Sequence, residues 1–133
     1  MRKLNLLLFL LCCCLLGACG TPESLRGFDS KAWKDDKNAC NGERTRLAPE
    51  FEKIRKELYG KKEYVVRNVL GKPDKEELLE RSQRIYYYYL EAGEQCGSSE
   101  ALSDANRAEV RINSLGKVSE INYNNPDKVA KPE

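Results

Sequence analysis

Cysteine is the residue type in this chain with the greatest capacity for chemistry. Six cysteines occur and histidine does not. Four of them, at positions 12–14 and 19, lie in or next to an apolar run at the N-terminus. The two cysteines in the rest of the chain are Cys40 and Cys96. A catalytic thiol needs a neighbouring base, normally histidine, and a zinc site needs more ligands than these two. The sequence therefore favours a structural role for Cys40 and Cys96.

Carboxylates would have to carry any acid–base catalysis in a chain without histidine. The adjacent pairs 35–36 and 76–77 lie in highly charged stretches, which is typical of a solvated surface. The sequence contains no phosphate-binding glycine loop, no clustered metal ligands and no Ser-x-x-Lys pattern. A carboxylate pair assembled by the fold, for example from Glu91 and Glu94, is the alternative that stays open. We expect a protein that is not an enzyme and that needs no cofactor and no metal.

The first nineteen residues indicate export from the cytoplasm. Two basic residues precede an apolar run from Leu4 to Leu16, and Leu-Gly-Ala-Cys ends at Cys19. A positive start, a short apolar run and small residues before the cut describe a secretory signal. The run is well short of the roughly 20 residues that a helix needs to cross a bilayer. We predict a signal peptide at residues 1–18; an ordinary signal cut elsewhere and an uncleaved anchor are the alternatives.

The Leu-Gly-Ala-Cys sequence resembles the lipobox of bacterial lipoproteins. In that family the cysteine sulfur receives a diacylglycerol, the chain is cut before the cysteine, and the new amino terminus is acylated. The resemblance implies that Cys19 is the lipidation site and that acyl chains such as palmitate anchor the protein in a membrane. Residue Gly20 is not the aspartate that retains such proteins in the inner membrane. The resemblance therefore implies the outer membrane, with the protein facing the periplasm.

Removal of the signal peptide changes the charge of the chain. Taking residues 1–18 from 133 leaves 115 residues, which is enough for one domain. Arg2 and Lys3 are lost with the signal, so 21 of the 23 basic residues remain against 21 acidic ones. A chain without net charge, and without a long block of one sign, lacks the electrostatic pattern of a nucleic-acid binder. We expect no nucleic-acid partner.

Cys40 and Cys96 would be the cysteines that remain after lipidation. Two cysteines in an oxidising compartment most often pair. Because they are 56 positions apart, the chain-entropy model gives a stabilisation of roughly 4 kcal/mol, an upper-end figure. We predict a disulfide between Cys40 and Cys96.

Composition divides the mature chain into three parts. Residues 19–28 contain glycine, proline and serine without a period, which predicts a flexible tether. Residues 29–123 carry the apolar patterns of a folded domain. Residues 124–133 contain little that could be buried, so a disordered tail is expected.

Helical patterns occupy the first half of the domain. Asp29 makes a suitable N-cap for a short helix that carries Trp33. In RLAPEFEKIRKELYG one stripe of a helix is apolar, with Pro49 in its first turn. The stripe consists of Leu47, Phe51, Ile54 and Leu58. A shorter helix follows in KKEYVVRNVLGKPD and ends at Gly71.

Strand patterns follow the helices. RIYYYYL is rich in aromatic residues that suit a strand, AEVRIN alternates, and KVSEINY returns after a turn with Gly116. Residues 75–83 are either one helical turn or an irregular approach to the sheet, and residues 91–107 form a long loop. Helices first and strands afterwards predict an α+β fold, with two to three helices on one face of a three-stranded antiparallel sheet.

Four consecutive tyrosines form the candidate contact surface: Tyr86, Tyr87, Tyr88 and Tyr89. Side chains alternate along a strand, so Tyr86 and Tyr88 share one face and Tyr87 and Tyr89 the other. We expect one pair beneath the helices and the other on the open face of the sheet. Ile85 and Leu90 favour opposite registers. The outer pair either covers its cross-strand neighbours or forms a contact patch, since tyrosine is enriched at interfaces.

Two motifs resemble a known family. One is Gly, then Val six residues later, then Leu-Gly-x-Pro; the other is a closing hairpin with an Asn-x-x-Gly turn. In this chain they comprise Gly60, Val66, Leu70, Gly71, Pro73, Asn113 and Gly116. Together they resemble the SmpA/OmlA (BamE-like) outer-membrane lipoproteins between about Lys53 and Tyr123. The chain departs from the pattern at Lys62, where serine or threonine usually caps the second helix, and in its additional segment from Trp33 to Cys40.

The resemblance implies two helices against a three-stranded sheet, and two functions from different classes stay open. The first is a lipid-anchored, periplasm-facing interaction module with a protein partner in the outer membrane, supporting β-barrel assembly or envelope integrity. The second is an inhibitor-like or cell-wall-binding module that recognises a soluble periplasmic enzyme or a glycan. A small α+β domain could serve either, because function does not follow from fold.

Overall fold

The computed structural model describes residues 20–97 and 100–129. The predicted signal peptide at residues 1–18 and the predicted lipidation site Cys19 lie outside these residues. Within the described ranges, no helix has both the length and the apolar character needed to span a bilayer.

Three α-helices come first along the chain: α1 (Ser30–Asp35), α2 (Glu43–Leu58) and α3 (Glu63–Leu70). The predicted cap of α1 is confirmed, since Asp29 Oδ1 accepts a hydrogen bond of 3.0 Å from Ala32 N. The apolar stripe of α2 is also confirmed, because Leu47, Phe51, Ile54 and Leu58 are all buried.

The start of α2 differs from the prediction. The helix begins at Glu43, so Pro49 lies in its second turn rather than its first. Gly42, at φ +82°, precedes the helix and has no side chain with which to cap it. Asp36 supplies the missing cap, since its Oδ2 accepts a hydrogen bond of 2.9 Å from Arg44 N. A carboxylate eight residues away therefore extends the helix beyond its local pattern.

The start of α3 is held by the hairpin at the other end of the domain. Lys62 makes no side-chain cap, but Glu63 N donates to Gly116 O at 2.9 Å. The predicted turn is confirmed: Gly116 has φ +69°, and Asn113 Oδ1 accepts hydrogen bonds from Leu115 N and Lys117 N. The turn carbonyl thus satisfies one of the first N–H groups of α3, which have no partner within the helix.

The sheet has four antiparallel strands in the order β1-β2-β3-β4. They are β1 (Lys75–Leu78), β2 (Arg84–Tyr89), β3 (Arg107–Ile112) and β4 (Val118–Tyr123). The α+β class is confirmed, but the sheet has one strand more than predicted. The additional strand is β1, which pairs with β2 through its backbone. Three of its four residues are exposed, so its sequence lacks the alternation of apolar and polar residues by which a strand is predicted.

The core lies between the helices and the inner face of the sheet. The predicted alternation of β3 is confirmed, because Ala108, Val110 and Ile112 are buried and the residues between them are only half-buried. Tyr86 lies opposite Val110, and Tyr88 lies opposite Ala108. These pairs place both tyrosines on the inner face of the sheet.

The folded domain extends beyond both predicted boundaries. Leu25 and Phe28 are buried in the core, although the sequence assigns them to the tether. Val129 packs partly against the same core, and the turn Pro126–Lys128 precedes it, so residues 124–129 of the predicted tail are ordered. Single apolar residues without a period can fill gaps in a core, and a pattern search does not detect them. Residues 130–133 lie outside the described part.

Candidate functional site

The predicted disulfide between Cys40 and Cys96 is present. Its S–S distance is 2.00 Å, and the two Cα atoms are 5.7 Å apart. It joins the end of the turn Lys37–Ala39 to the turn Glu94–Cys96. The crosslink thus fixes the segment before α2 to the loop that follows β2.

That loop covers the outer face of the sheet, and we call it the cover loop (residues 91–97 and 100–106). Gln95 is buried within it and donates to Asn38 O at 3.0 Å and to Glu91 O at 2.8 Å. Ser103 Oγ donates to Gln95 Oε1 at 2.5 Å, and Ser103 N donates to the Tyr89 hydroxyl at 2.9 Å. The cover loop is therefore bonded both to the N-terminal segment and to the second face of the sheet.

The four tyrosines do not form an exposed surface. Tyr86, Tyr88 and Tyr89 are fully buried, and Tyr87 is 7% exposed. The register is the one that Leu90 favours, since Leu90 belongs to the core while Ile85 is only half-buried. The predicted contact patch is wrong because the cover loop lies over Tyr89 and charged side chains lie over Tyr87.

Tyr87 is held by a pair of charged neighbours. Its hydroxyl donates to Glu77 Oε2 at 2.5 Å, and the Arg107 guanidinium carbon lies 5.4 Å from the ring centroid. Burial, together with the hydrogen bond to Glu77, raises the pKa of Tyr87 to about 12. The ring therefore helps to fix β1 and β3 on either side of β2.

Tyr86 joins α3 to the sheet through a second charged cluster. Its hydroxyl donates to the Glu63 carboxylate and accepts a hydrogen bond of 2.7 Å from Arg67 Nη2. The Arg67 guanidinium also lies 4.8 Å from the Tyr86 ring centroid. The Tyr86 hydroxyl, followed by Arg67 and Arg84, lowers the pKa of Glu63. Every member of this cluster is engaged in holding the two elements together.

Glu91, one member of the carboxylate pair left open for catalysis, is engaged in bonds within the fold. Its Oε1 accepts hydrogen bonds from Asn106 N at 2.9 Å and from Lys128 Nζ at 2.7 Å. These bonds lower the pKa of Glu91, with Lys128 as the main cause. In residues 20–97 and 100–129, no group of three acidic or cysteine side chains could hold a metal ion.

A buried ion pair between Arg44 and Asp74 is the main polar feature that the sequence analysis missed. Arg44 Nη1 lies 2.5 Å from Asp74 Oδ2, and the two side chains are 2% and 0% exposed. Asp74 also accepts hydrogen bonds from Asn38 N at 3.0 Å and from Tyr89 N at 2.9 Å. The carboxylate thus has a partner for each oxygen, which a buried charge requires.

One signal could have pointed to Arg44, although not to its partner. Arg44 lies three residues before Leu47, so it continues the apolar stripe of α2 toward the N-terminus. A cation on a buried stripe implies a buried partner, but Asp74 is 30 residues away in the sequence and follows no motif that marks it.

The β1–β2 connection is largely exposed. Leu78 is 75% exposed, and the turn that follows contains Arg81 and Ser82 at φ +57° and +59°. An open depression of about 460 Å³ lies beside it, lined by Leu79, Glu80, Arg81, Gln83 and Arg111. A terminal strand presents unpaired backbone groups with which an extended segment of another chain can pair.

Comparisons with protein-family models, curated proteins and solved structures gave no match for this chain. The resemblance to the SmpA/OmlA (BamE-like) lipoproteins therefore stays a prediction that depends on its short motifs.

The disulfide predicts equal effects of the two cysteines on stability. We expect Cys40→Ser and Cys96→Ser to lower the melting temperature equally, with a loss of at most about 4 kcal/mol. The double variant should be no less stable than either single variant, and reductant should lower the wild type to the same level. Thermal unfolding followed by circular dichroism measures all four. Unequal single variants, or a wild type that does not respond to reductant, would contradict this account.

The buried ion pair predicts a large loss of stability when one of its charges is removed. We expect Asp74→Asn to lower the free energy of unfolding by about 3–5 kcal/mol, because it leaves the Arg44 charge buried without a partner. The matched control is Asp35→Asn, which removes the carboxylate of the exposed pair between Lys31 and Asp35 and should leave stability almost unchanged. Denaturant unfolding measures both variants. A similar loss of unfolding free energy in the two variants would show that the buried pair contributes no more to stability than the exposed pair.

The raised pKa of Tyr87 predicts a specific alkaline response. Because the folded-state pKa of about 12 exceeds the ordinary value of about 10, the neutral hydroxyl stabilises the fold below pH ~10. This contribution is lost as the pH rises from about 10 to about 12. The stability difference between the wild type and Tyr87→Phe should therefore shrink over that interval, as measured by denaturant unfolding at each pH. A difference that stays constant up to pH ~12 would exclude this role.

Proposed function

We propose that the protein is a lipid-anchored interaction module of the outer membrane. Acyl chains on Cys19 hold it at the periplasmic side, and the exposed strand β1 contacts a protein partner in the same membrane. Through this contact it supports the assembly of outer-membrane β-barrels or the integrity of the envelope. The observation that carries the proposal is the exposed Leu78 on a terminal strand whose outer edge has no partner strand in the described chain.

The disulfide supports the export step of this proposal. Structural disulfides form and persist in oxidising compartments such as the periplasm and are rare in the cytosol. The bond between Cys40 and Cys96 agrees with the export signal at residues 1–18. Two independent parts of the chain, one at its start and one inside the domain, thus favour the same compartment.

The contact is assigned to an edge because both faces of the sheet are covered. The helices pack on one face, and the cover loop with its charged neighbours lies on the other. With the tyrosines buried, the sheet itself offers a partner only its perimeter.

Only one of the two sheet edges is open along the described chain. The edge at β4 is occupied: Gly60 N donates to Val118 O, Val118 N donates to Lys61 O, and Arg55 Nη1 donates to Ile121 O. The edge at β1 pairs with β2 on one side alone. An open edge offers backbone donors and acceptors to an extended segment of a partner, and Leu78 adds an apolar side chain to the contact.

The lipid anchor makes a small contact sufficient. A strand of four residues gives few hydrogen bonds and little buried area, so we expect weak binding in free solution. Confinement to the membrane surface raises the effective concentration of the domain toward partners in the same membrane. The proposed role requires no catalysis, which agrees with the absence of histidine from the sequence.

Photo-crosslinking in intact cells tests this proposal. A photoreactive amino acid at position 78 should capture an outer-membrane protein. The matched control is position 115, where Leu115 is 71% exposed in the turn between β3 and β4 and should capture none. Cys19→Ser should abolish acylation and weaken the crosslink from position 78, because the unanchored domain is diluted through the periplasm.

Three results would contradict the proposal. Equal capture from positions 78 and 115 would show that the crosslinks come from random collisions. No capture from position 78 would show that β1 makes no contact with a partner. Capture of a soluble periplasmic enzyme or a glycan from position 78, unaffected by Cys19→Ser, would favour the inhibitor-like or cell-wall-binding alternative.

A further inference from the structure

A small basic pocket lies beside the Arg44–Asp74 pair, away from the edge strand. Its volume is about 180 Å³, and it lies between α1, the turn Lys37–Ala39 and the end of α3. The residues that line it are Lys34, Lys37, Arg44, Leu70, Gly71 and Lys72. Four of these six are cationic and none is acidic. Because the predicted mature chain has equal numbers of basic and acidic residues, this local excess is not a result of overall composition.

Arg44 gives the pocket a rigid wall with an unused donor. Its Nε donates to Trp33 O at 2.9 Å, and its Nη1 donates to Asp74 Oδ2 and to Tyr89 O. Its guanidinium also lies 5.0 Å from the Trp33 ring centroid. Among residues 20–97 and 100–129, no hydrogen bond engages Nη2, so its N–H groups remain available for an oxygen ligand.

Lys34 forms a second preorganised wall. Its Nζ donates to Asn68 O at 2.5 Å, at the end of α3. Its aliphatic chain lies over Gly71, where an added Cβ would be 2.9 Å from Lys34 Cγ. Gly71 also has φ +77°, so both backbone conformation and space require glycine there. The Lys34 side chain is therefore held in place at both ends, by its packing on Gly71 and by its hydrogen bond to Asn68.

The positive charge at this pocket is only partly compensated by the protein that surrounds it. The Arg44 charge is matched by Asp74, which leaves the three lysines. Asp36 lies in the adjoining turn, where its carboxylate accepts hydrogen bonds from the backbone N–H groups of Asn41 and Arg44, and it offsets the charge of one lysine at most. Within the described part of the chain, the ammonium groups of Lys37 and Lys72 take part in no ion pair. Such a concentration of one sign attracts a counter-ion of the other.

We propose that this pocket binds a phosphate group. Three lysine ammonium groups act as point charges around an oxyanion, and the free Arg44 nitrogen adds directional donors. A volume of about 180 Å³ accommodates a phosphate and the first atoms of its carrier. The phosphate is either inorganic phosphate or part of a lipid headgroup, and the pocket would bind the oxyanion that both contain. This site lies outside the function proposed for β1 and does not depend on it.

Calorimetric titration of the acylated, full-length mature protein in a neutral detergent tests the proposal. Inorganic phosphate should bind saturably at constant ionic strength, with chloride as the background anion. The double variant Lys37→Gln/Lys72→Gln should weaken binding about tenfold or more, because two close charges are lost. Lys34 is left unchanged because it packs against Gly71. The matched control is Lys53→Gln/Lys56→Gln, which removes the same formal charge from the exposed surface of α2 and should change binding less than about twofold.

A second titration distinguishes the two sources of phosphate. Dihexanoyl phosphatidic acid that binds more tightly than inorganic phosphate, with the same dependence on Lys37 and Lys72, would assign the site to a lipid headgroup. Equal affinities would assign it to a free phosphate group. If neither probe binds saturably, or if both double variants weaken binding equally, the pocket is not a phosphate site. Crosslinking from position 78 should be unchanged in Lys37→Gln/Lys72→Gln, so failure of this proposal is separable from failure of the proposed function.

Discussion

The carboxylate of Asp74 is the interaction on which the arrangement of the domain depends. It binds the Arg44 guanidinium from α2, the Asn38 amide from the turn before that helix, and the Tyr89 amide from β2. Removal of any one partner would leave a buried charge incompletely satisfied, which is costly. The carboxylate therefore fixes the helical layer to the sheet more specifically than apolar packing alone. The disulfide of Cys40 then attaches the cover loop to the same turn.

This arrangement determines where the molecule can make contacts. The helices cover the inner face of the sheet, the cover loop covers the outer face, and the segment Gly60–Lys62 with Arg55 occupies the edge at β4. Among the described residues no further strand pairs with the edge at β1, and Leu78 is exposed on it. In the part of the chain that the structure describes, Arg44 Nη2 takes part in no hydrogen bond, which leaves a donor at the basic pocket. Two separate contacts, one with a polypeptide and one with an anion, are thus compatible with one rigid domain.

Local patterns predicted the elements that depend on local physics. The cap at Asp29, the apolar stripe of α2, the turn at Gly116 and the disulfide were all identified from residue types and spacing. Strand β1 was missed because its sequence, KEEL, buries almost nothing and is held by backbone bonds. The face of the tyrosines could not be assigned, since Ile85 and Leu90 favour opposite registers, and burial of the outer pair could not be foreseen because it depends on a loop without a period. The Arg44–Asp74 pair joins residues 30 apart, and no local pattern marks such a pair.

Native-state hydrogen exchange of two backbone amides tests the central role of Asp74 most directly. The amide protons of Asn38 and Tyr89 both donate to this carboxylate, although they belong to different segments. If the carboxylate joins those segments, both amides exchange only by global unfolding, with the same free energy of opening as the central strand β3. Asn38 lies in a short turn that would otherwise open locally. Exchange of its amide at the rate of an exposed loop, while β3 remains protected, would contradict the account.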